Sequence, residues 1–257
     1  MSRHHRWIRA LYLWHRRLGV AAALLVILLA VTGILLNHTD RLGLANRPVH
    51  NALLLDWYGI RAPEPPSGWQ ANGHWFTALD GTLFLDDRPV TEARGALRGV
   101  AALPPLGAYL LAFDRNLLLL DESGRVIEWM TPPAGPDGRI LGLAGPHDGL
   151  PVLVTRTGAW IPDAELATWR PLAGTDIPSP KPPAALPSPL GHRIAQWARS
   201  RRISMERLLL DLHSGRLFGR HGPWVMDAAA LLLLLLAVSG GFLWLRQLWK
   251  RHRHRHR

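Results

Sequence analysis

Four histidines flank the two long apolar runs of this chain, where an imidazole could ligate a metal ion or a haem iron. His15 precedes the first run and His38 follows it, whereas His213 and His221 lie just before the second. Neutral imidazole is a common metal ligand, and two such rings facing each other beside an apolar slot suffice for a non-covalent haem. His15 and His38 are separated by roughly 35 Å along a helix, so one iron atom cannot bind both.

The apolar runs must position these histidines, and both have the length of membrane helices. Residues 18–36 carry no charge, and residues 224–245 carry one, at Asp227. The first run makes a helix of roughly 28 Å, close to the bilayer core of roughly 30 Å. Because only helices and closed barrels satisfy their own backbone in lipid, we expect two transmembrane α-helices. A signal peptide is the alternative for the first run, but the run lacks a small-x-small cleavage pattern, which favours a retained anchor.

The positive charge is concentrated in the two ends of the chain. The formal net charge is +11, from 30 Lys and Arg against 19 Asp and Glu. Residues 1–17 carry five Arg, residues 246–257 carry six Lys or Arg, and neither segment has an acidic residue. This distribution follows the positive-inside rule and places both termini in the cytoplasm. We do not expect a nucleic acid partner, because no basic stripe interleaved with aromatic residues occurs between the runs.

The residue types present restrict the chemistry further. The chain has no cysteine, which excludes disulfides, iron-sulfur clusters and covalent haem attachment, so any metal must bind His, Asp, Glu or Met. No Ser-His-Asp pattern, zinc motif or phosphate loop is present, and no catalytic residue is predicted. The final RHRHRHR, residues 251–257, is typical of an inside-positive tail, with metal or anionic lipid binding as the alternative.

The segment between the apolar runs is rich in β-type patterns. Three stretches, beginning at His74, Tyr109 and Pro151, each have an apolar strand, a polar turn, a second apolar strand and a turn into a third. Their spacing of roughly 35 to 42 residues is typical of propeller blades or a repeated β-meander. We therefore predict a β-rich extracytoplasmic domain of repeated β-meander or propeller-like units, and its closure stays open.

The full domain organisation follows from these patterns. We predict, in order, a cytoplasmic basic tail (1–17), transmembrane helix 1 (18–36), an extracytoplasmic β-rich domain (37–176), a proline-rich linker (177–190), a membrane-proximal segment (191–222), transmembrane helix 2 (223–245) and a second cytoplasmic basic tail (246–257). The membrane-proximal segment can begin with an amphipathic helix suited to the membrane surface. Its apolar face has Ile194, Trp197 and Ala198, and the arginines largely off that face are Arg199, Arg201 and Arg202.

Two short motifs leave alternatives open. Ser214-Gly215 is either the turn of a β-hairpin or the end of a helix capped by Gly215. The hexapeptides LLAVTG, residues 28–33, and LLAVSG, residues 235–240, repeat a hydroxyl followed by glycine. Such a pair lets helices approach closely and offers a side-chain hydrogen bond between them, so we interpret it as a helix contact.

The order of motifs resembles the PepSY-associated transmembrane (PepSY-TM) family. The matching positions are Trp14, His15, Arg16 and Gly19 at the first helix, Asn37 and His38 at its end, and Asp211, Leu212, His213, Ser214 and Gly215 before the last helix. The resemblance implies a bacterial inner (cytoplasmic) membrane protein. Some relatives are tied to iron-siderophore uptake and move electrons through b-type haems.

By this resemblance His38 and His213 are outer-side haem or metal ligands, and His15 is a cytoplasmic-side haem ligand. Larger relatives have four or more membrane helices, so a homodimer or a partner membrane protein is expected here in addition to the lipid bilayer. His221 lies outside the motif and is expected at the start of the second membrane helix.

Two functions follow. The first is a haem b electron-transfer component linked to iron-siderophore reduction; if the chain is an enzyme, it is an oxidoreductase of the ferric-siderophore reductase type. The alternative is a non-catalytic membrane anchor whose periplasmic β-domain binds a partner protein or ligand.

Overall fold

The computed structural model describes residues 3–132, 138–173 and 178–255, and the chain divides into two compact units. The helical unit combines residues 1–51 with residues 201–257, and the β unit spans residues 52–200. The helical unit thus includes residues 37–51, which the sequence pattern assigns to the β-rich domain.

The described residues contain six α-helices, numbered in chain order. They are α1 (Arg3–Asn37), α2 (Thr39–Leu42), α3 (Ala52–Trp57), α4 (Ser188–Ser200), α5 (Met205–His213) and α6 (Gly222–Arg255). In the helical unit α1 contacts both α5 and α6. α1 and α6 run several turns beyond the apolar runs, because the basic tails continue the helices.

One straight helix of the described chain has the length and composition of a membrane span. It comprises Gly222–Trp249 of α6, with a mean hydropathy of 2.3 and only 11% of its most apolar window buried. α1 meets the same criteria only if its two parts, Tyr12–Val20 and Ala22–Asn37, bent by 44°, are one span. Both helices expose apolar side chains outward, as in Leu24 and Val238. A helix that is apolar all round and not covered by protein suits a lipid environment.

The DLHSG motif forms the end of a helix, which resolves the open alternative in favour of a helical cap. α5 begins after Ser204, whose side chain accepts a hydrogen bond from the Arg207 backbone N–H, and Gly215 follows its end with φ of 77°. A Cβ on Gly215 would lie 2.5 Å from the Gly222 carbonyl oxygen, where α6 begins. Glycine is therefore required here by both the backbone conformation and the close approach.

The described β unit consists of three antiparallel meanders of four strands each, with a thirteenth strand at the edge of the first sheet. The strands are β1 (Ser67–Ala71), β2 (His74–Leu79), β3 (Thr82–Leu85), β4 (Arg88–Glu92), β5 (Leu97–Leu103), β6 (Ala108–Phe113), β7 (Leu117–Asp121), β8 (Val126–Met130), β9 (Ile140–His147), β10 (Leu150–Thr155), β11 (Gly158–Pro162), β12 (Trp169–Pro171) and β13 (Ala184–Ala185). The sheet orders are β13-β1-β2-β3-β4, β5-β6-β7-β8 and β9-β10-β11-β12. The repeated β-meander is therefore confirmed, with one strand more per unit than the three predicted.

The additional strands β1, β5 and β9 open the three meanders and lie next to one another. A Cβ on Gly99 of β5 would lie 2.7 Å from the Leu143 backbone N of β9, and β1 also contacts β5. The largest buried cluster joins the first and second meanders through side chains such as Phe76 and Tyr109, whose ring centroids are 4.8 Å apart. The first strands thus form the centre of the repeat.

The proline-rich segment and α4 complete this unit. Within the linker, β13 pairs with β1. The apolar face of α4 packs on Phe84 of β3 through Ile194, so this face is used inside the unit. Arg199, expected off that face, is instead buried, because its guanidinium binds the Asp56 carboxylate and donates to the Ile60 carbonyl.

Candidate functional site

His213, the last residue of α5, contacts the C-terminal part of α1. Its Nδ1 atom lies 2.7 Å from the Thr32 hydroxyl, and Thr32 is buried. Gly33 follows, and a Cβ built there would lie 3.6 Å from Cε1 of the imidazole. The ring therefore lies on the hydroxyl-glycine pair of the first repeated hexapeptide.

His15 makes the equivalent contact with the second hexapeptide. Its Nδ1 atom lies 2.8 Å from the Ser239 hydroxyl on α6. A Cβ on Gly240 would lie 3.1 Å from Cε1 of His15, so any residue other than glycine would require the ring to shift. Each histidine is half-buried, and each is held by the hydroxyl-glycine pair of another helix.

The hydrogen bonds of the two hydroxyl groups favour one tautomer of both imidazoles. Thr32 Oγ1 donates to the Leu28 carbonyl at 2.7 Å, and Ser239 Oγ donates to the Leu236 carbonyl at 3.2 Å. A hydroxyl has one proton, so a group that donates it to the helix carbonyl accepts a hydrogen bond from the imidazole. In that arrangement Nδ1 carries the ring proton in His15 and His213, and Nε2 keeps its lone pair. A neutral imidazole in this state can ligate a metal through Nε2.

Sequence reasoning missed the role of Thr32 and Ser239. The repeated hexapeptide was the signal that could have found them, and it predicts an interhelical hydrogen bond, which Ser239 makes to His15 between α6 and α1. That the partners are the two motif histidines could not be read from the repeat alone.

The two imidazoles lie at different depths along α1. Thr32 is separated from His15 by roughly 25 Å of helical rise, so the rings cannot share one iron. One site lies at the start of the first apolar run and the other within its last two turns.

Asp211, two residues before His213, forms an ion pair within α5. It is buried, and Arg207 one helical turn earlier donates to its carboxylate at 3.1 Å.

His38 and His221 lie outside these contacts. His38 is exposed at the start of α2, and no hydrogen bond to its imidazole occurs among the described residues. It follows Thr32 by six residues, about 9 Å further along the helix and about 240° around it, and so on another face. The shared site of His38 and His213 stays a prediction, and no group of three or more His, Asp or Glu suited to a metal occurs in the described ranges. His221 is exposed one residue before α6 begins.

A family model described as the PepSY-associated TM region matches residues 1–247. The match includes both histidine-binding hexapeptides, both apolar runs and the β unit between them. No curated protein matches the chain.

Proposed function

The chain belongs to the PepSY-associated TM family, and from this membership we propose a membrane-embedded electron-transfer protein that holds haem b through His213 and His15. One observation carries the proposal: both imidazoles have Nδ1 bound to a hydroxyl that itself donates to a helix carbonyl, which leaves Nε2 available.

The residues at both positions fit a haem ligand. Metal-ligating histidines usually donate their second ring N–H to a fixed acceptor, which sets the ring orientation and tautomer. Thr32 and Ser239 are such acceptors, and Gly33 and Gly240 leave space beside the rings. Exposed apolar side chains on α1 and α6 provide the surface that a porphyrin needs. When bound, haem supplies one-electron oxidation and reduction.

The two depths support an electron route across a membrane. In this proposal α1 and α6 both span a bacterial inner membrane, the termini are cytoplasmic and the β unit is periplasmic. His15 then serves the cytoplasmic side and His213 the outer side. The hydroxyl of Thr32 or Ser239 holds the Nδ1 proton, and the surrounding apolar helices exclude water.

One chain supplies one such imidazole at each depth, so a second axial ligand has to come from elsewhere. A homodimer would bring a second copy of each histidine, and His38 is the additional outer-side candidate. The resemblance to siderophore-linked relatives supports a ferric siderophore as electron acceptor on the outer side, and the reaction would then be that of a ferric-siderophore reductase.

The absorbance spectrum tests this function. We expect the full chain, purified from membranes of cells supplied with a haem precursor, to show a Soret band that shifts on reduction by dithionite. The His213→Ala and His15→Ala substitutions should each lower the band, whereas the matched control His221→Ala, at an exposed histidine, should leave it unchanged. A missing Soret band in both redox states, or a band unaffected by either substitution, would overturn the proposal.

The anchor function remains the second candidate, favoured by the size of the β unit and by the cavity described below. In that case the bonds of His15 and His213 only hold helices together. His213→Ala would then change stability by about 1 to 3 kcal/mol, as for the loss of a buried hydrogen bond, with no haem involved.

A further inference from the structure

A cavity of about 400 Å³ opens at the centre of the β unit, within the size range of small-molecule sites. Its walls come from the first strand of each meander: Ala71 from β1, Ala101 and Ala102 from β5, and Ala144 from β9. Val100, Leu143 and several prolines and glycines add to a mostly apolar lining, in which Gln70 of β1 is a neutral polar residue. Small side chains on all three strands keep this volume open.

Two of these strands make close contact beside the cavity. β5 and β9 touch where Gly99 meets the Leu143 backbone, and the cavity begins at the next residue, Val100. A Cβ on Gly142 would lie 2.8 Å from the Arg98 carbonyl and 2.7 Å from Pro180. The cavity is therefore built into the repeat and is not a gap between loosely placed loops.

Lys181 supplies the charge at this cavity. It is the charged residue among the described lining residues, and it is one of two lysines in the chain, the other being Lys250. Its backbone is held from both sides: its N–H donates to the Leu143 carbonyl and its carbonyl accepts from Trp69 Nε1, each at 2.9 Å. The side chain is exposed, and its ammonium makes no ion pair within the described part of the chain.

We propose that this cavity binds a small organic carboxylate, with the apolar body of the ligand against the alanine walls and its carboxylate at the Lys181 ammonium. A mostly apolar lining with a single charged residue disfavours burial of a doubly charged group, so a monoanion fits better than a phosphate ester. Lysine offers a compact, flexible point charge that can reach one carboxylate at the rim. The proposal is independent of haem binding, because every residue involved lies in the β unit.

The two lysines allow a direct test in the full chain. With lysine labelled selectively with ¹³C at Cε and the protein in lipid nanodiscs, NMR should show two lysine signals, of which Lys250 is the internal control. Cyclohexanecarboxylate should shift the Lys181 signal saturably, with a Kd on the order of 1 mM, and leave Lys250 unchanged. Cyclohexylmethanol, which has the same ring without the charge, should bind roughly twofold to fivefold more weakly.

Two variants separate the charge from the cavity. Calorimetric titration of Lys181→Gln, which keeps the backbone bonds, should show carboxylate binding weakened by roughly twofold to fivefold, to the level of the alcohol. Ala102→Phe should fill the cavity and abolish binding of both compounds, with folding checked by tryptophan fluorescence. If Ala102→Phe does not fold, Lys181→Gln alone still tests whether the Lys181 charge contributes to carboxylate binding. Equal binding of acid and alcohol, parallel shifts of both lysines, or no saturation at about 20 mM carboxylate would each overturn the proposal.

Discussion

The Thr32→Val substitution removes the oxygen that holds His213 and changes little else. Valine keeps the branched shape of threonine, so the fit of α1 against its neighbours should persist. The Nδ1–H group of His213 loses its acceptor at 2.7 Å, and the bond from Thr32 to the Leu28 carbonyl disappears with it. The Leu28 carbonyl keeps its place in the helix, so the unpaired imidazole N–H dominates the effect.

The size of this effect follows from the burial of the contact. Leaving a buried donor without its acceptor costs about 1 to 3 kcal/mol, and interhelical hydrogen bonds in membranes have been found to contribute up to about 1.7 kcal/mol. We therefore expect Thr32→Val to lower stability by about 1 to 2 kcal/mol. If His213 ligates haem, the loss of its fixed tautomer should weaken haem binding by about 10-fold to 100-fold.

Two controls and two measurements make the test specific. Thr32→Ser keeps the hydroxyl, as Ser239 does in the second hexapeptide, and should stay close to the unmodified chain. Thr39→Val removes a hydroxyl bound only to the Leu36 carbonyl at 2.9 Å and should leave haem binding unchanged. Thermal unfolding by tryptophan fluorescence measures stability, and haem titration measures affinity. If Thr32→Val and Thr39→Val are equal in both measurements, the role given to Thr32 is wrong.

Three further predictions concern other parts of the chain. Gly240→Ala should lower the haem content, because the added Cβ would lie 3.1 Å from the His15 imidazole. Gly33→Ala should not lower it, because its Cβ would make an ordinary contact of 3.6 Å with the His213 imidazole. The haem content per chain measures both effects. Gly215→Ala should prevent folding of the helical unit, since φ is 77° and the Cβ would meet a carbonyl oxygen at 2.5 Å; a normal melting curve would contradict this. The hydroxyl of Thr168 first, and then nearby backbone N–H groups, hold the pKa of the Asp163 carboxyl below its usual range. That carboxylate therefore stabilises the fold above about pH 4 and loses this contribution as pH falls further, so Asp163→Asn should flatten the Tm profile between pH 3 and pH 7, and an unchanged slope would refute the assignment.

Much of the fold could be predicted from the sequence, because its apolar and turn patterns are long or repeated. Polar turns between apolar strands marked β2–β4, β6–β8 and β10–β12. The first strands β1, β5 and β9 were not predicted, because glycines such as Gly68, Gly99 and Gly142 interrupt their apolar pattern. Those glycines are needed where neighbouring backbones touch, a tertiary requirement that leaves no periodic signal.

The candidate site was readable only in part. The motifs identified His15 and His213, but the shared side of the membrane suggested His38 as the partner of His213. The structure places Thr32 at Nδ1 of His213, because α5 contacts α1 one to two turns before that helix ends, and the shared site of His38 and His213 stays a prediction. The position of His213 along α1 follows from the contact of α5 with α1, and the order of the motifs in the chain does not determine it.

The haem content of histidine variants tests the central claim most directly. Haem per chain, measured by the pyridine haemochrome absorbance, is compared for the full chain, for His15→Ala, for His213→Ala and for the double variant. With two separate sites, each single substitution should lower the haem content to about half of the unmodified value, and the double variant should retain none. Undiminished haem in the double variant, or none in the unmodified chain, would contradict haem binding by these two histidines.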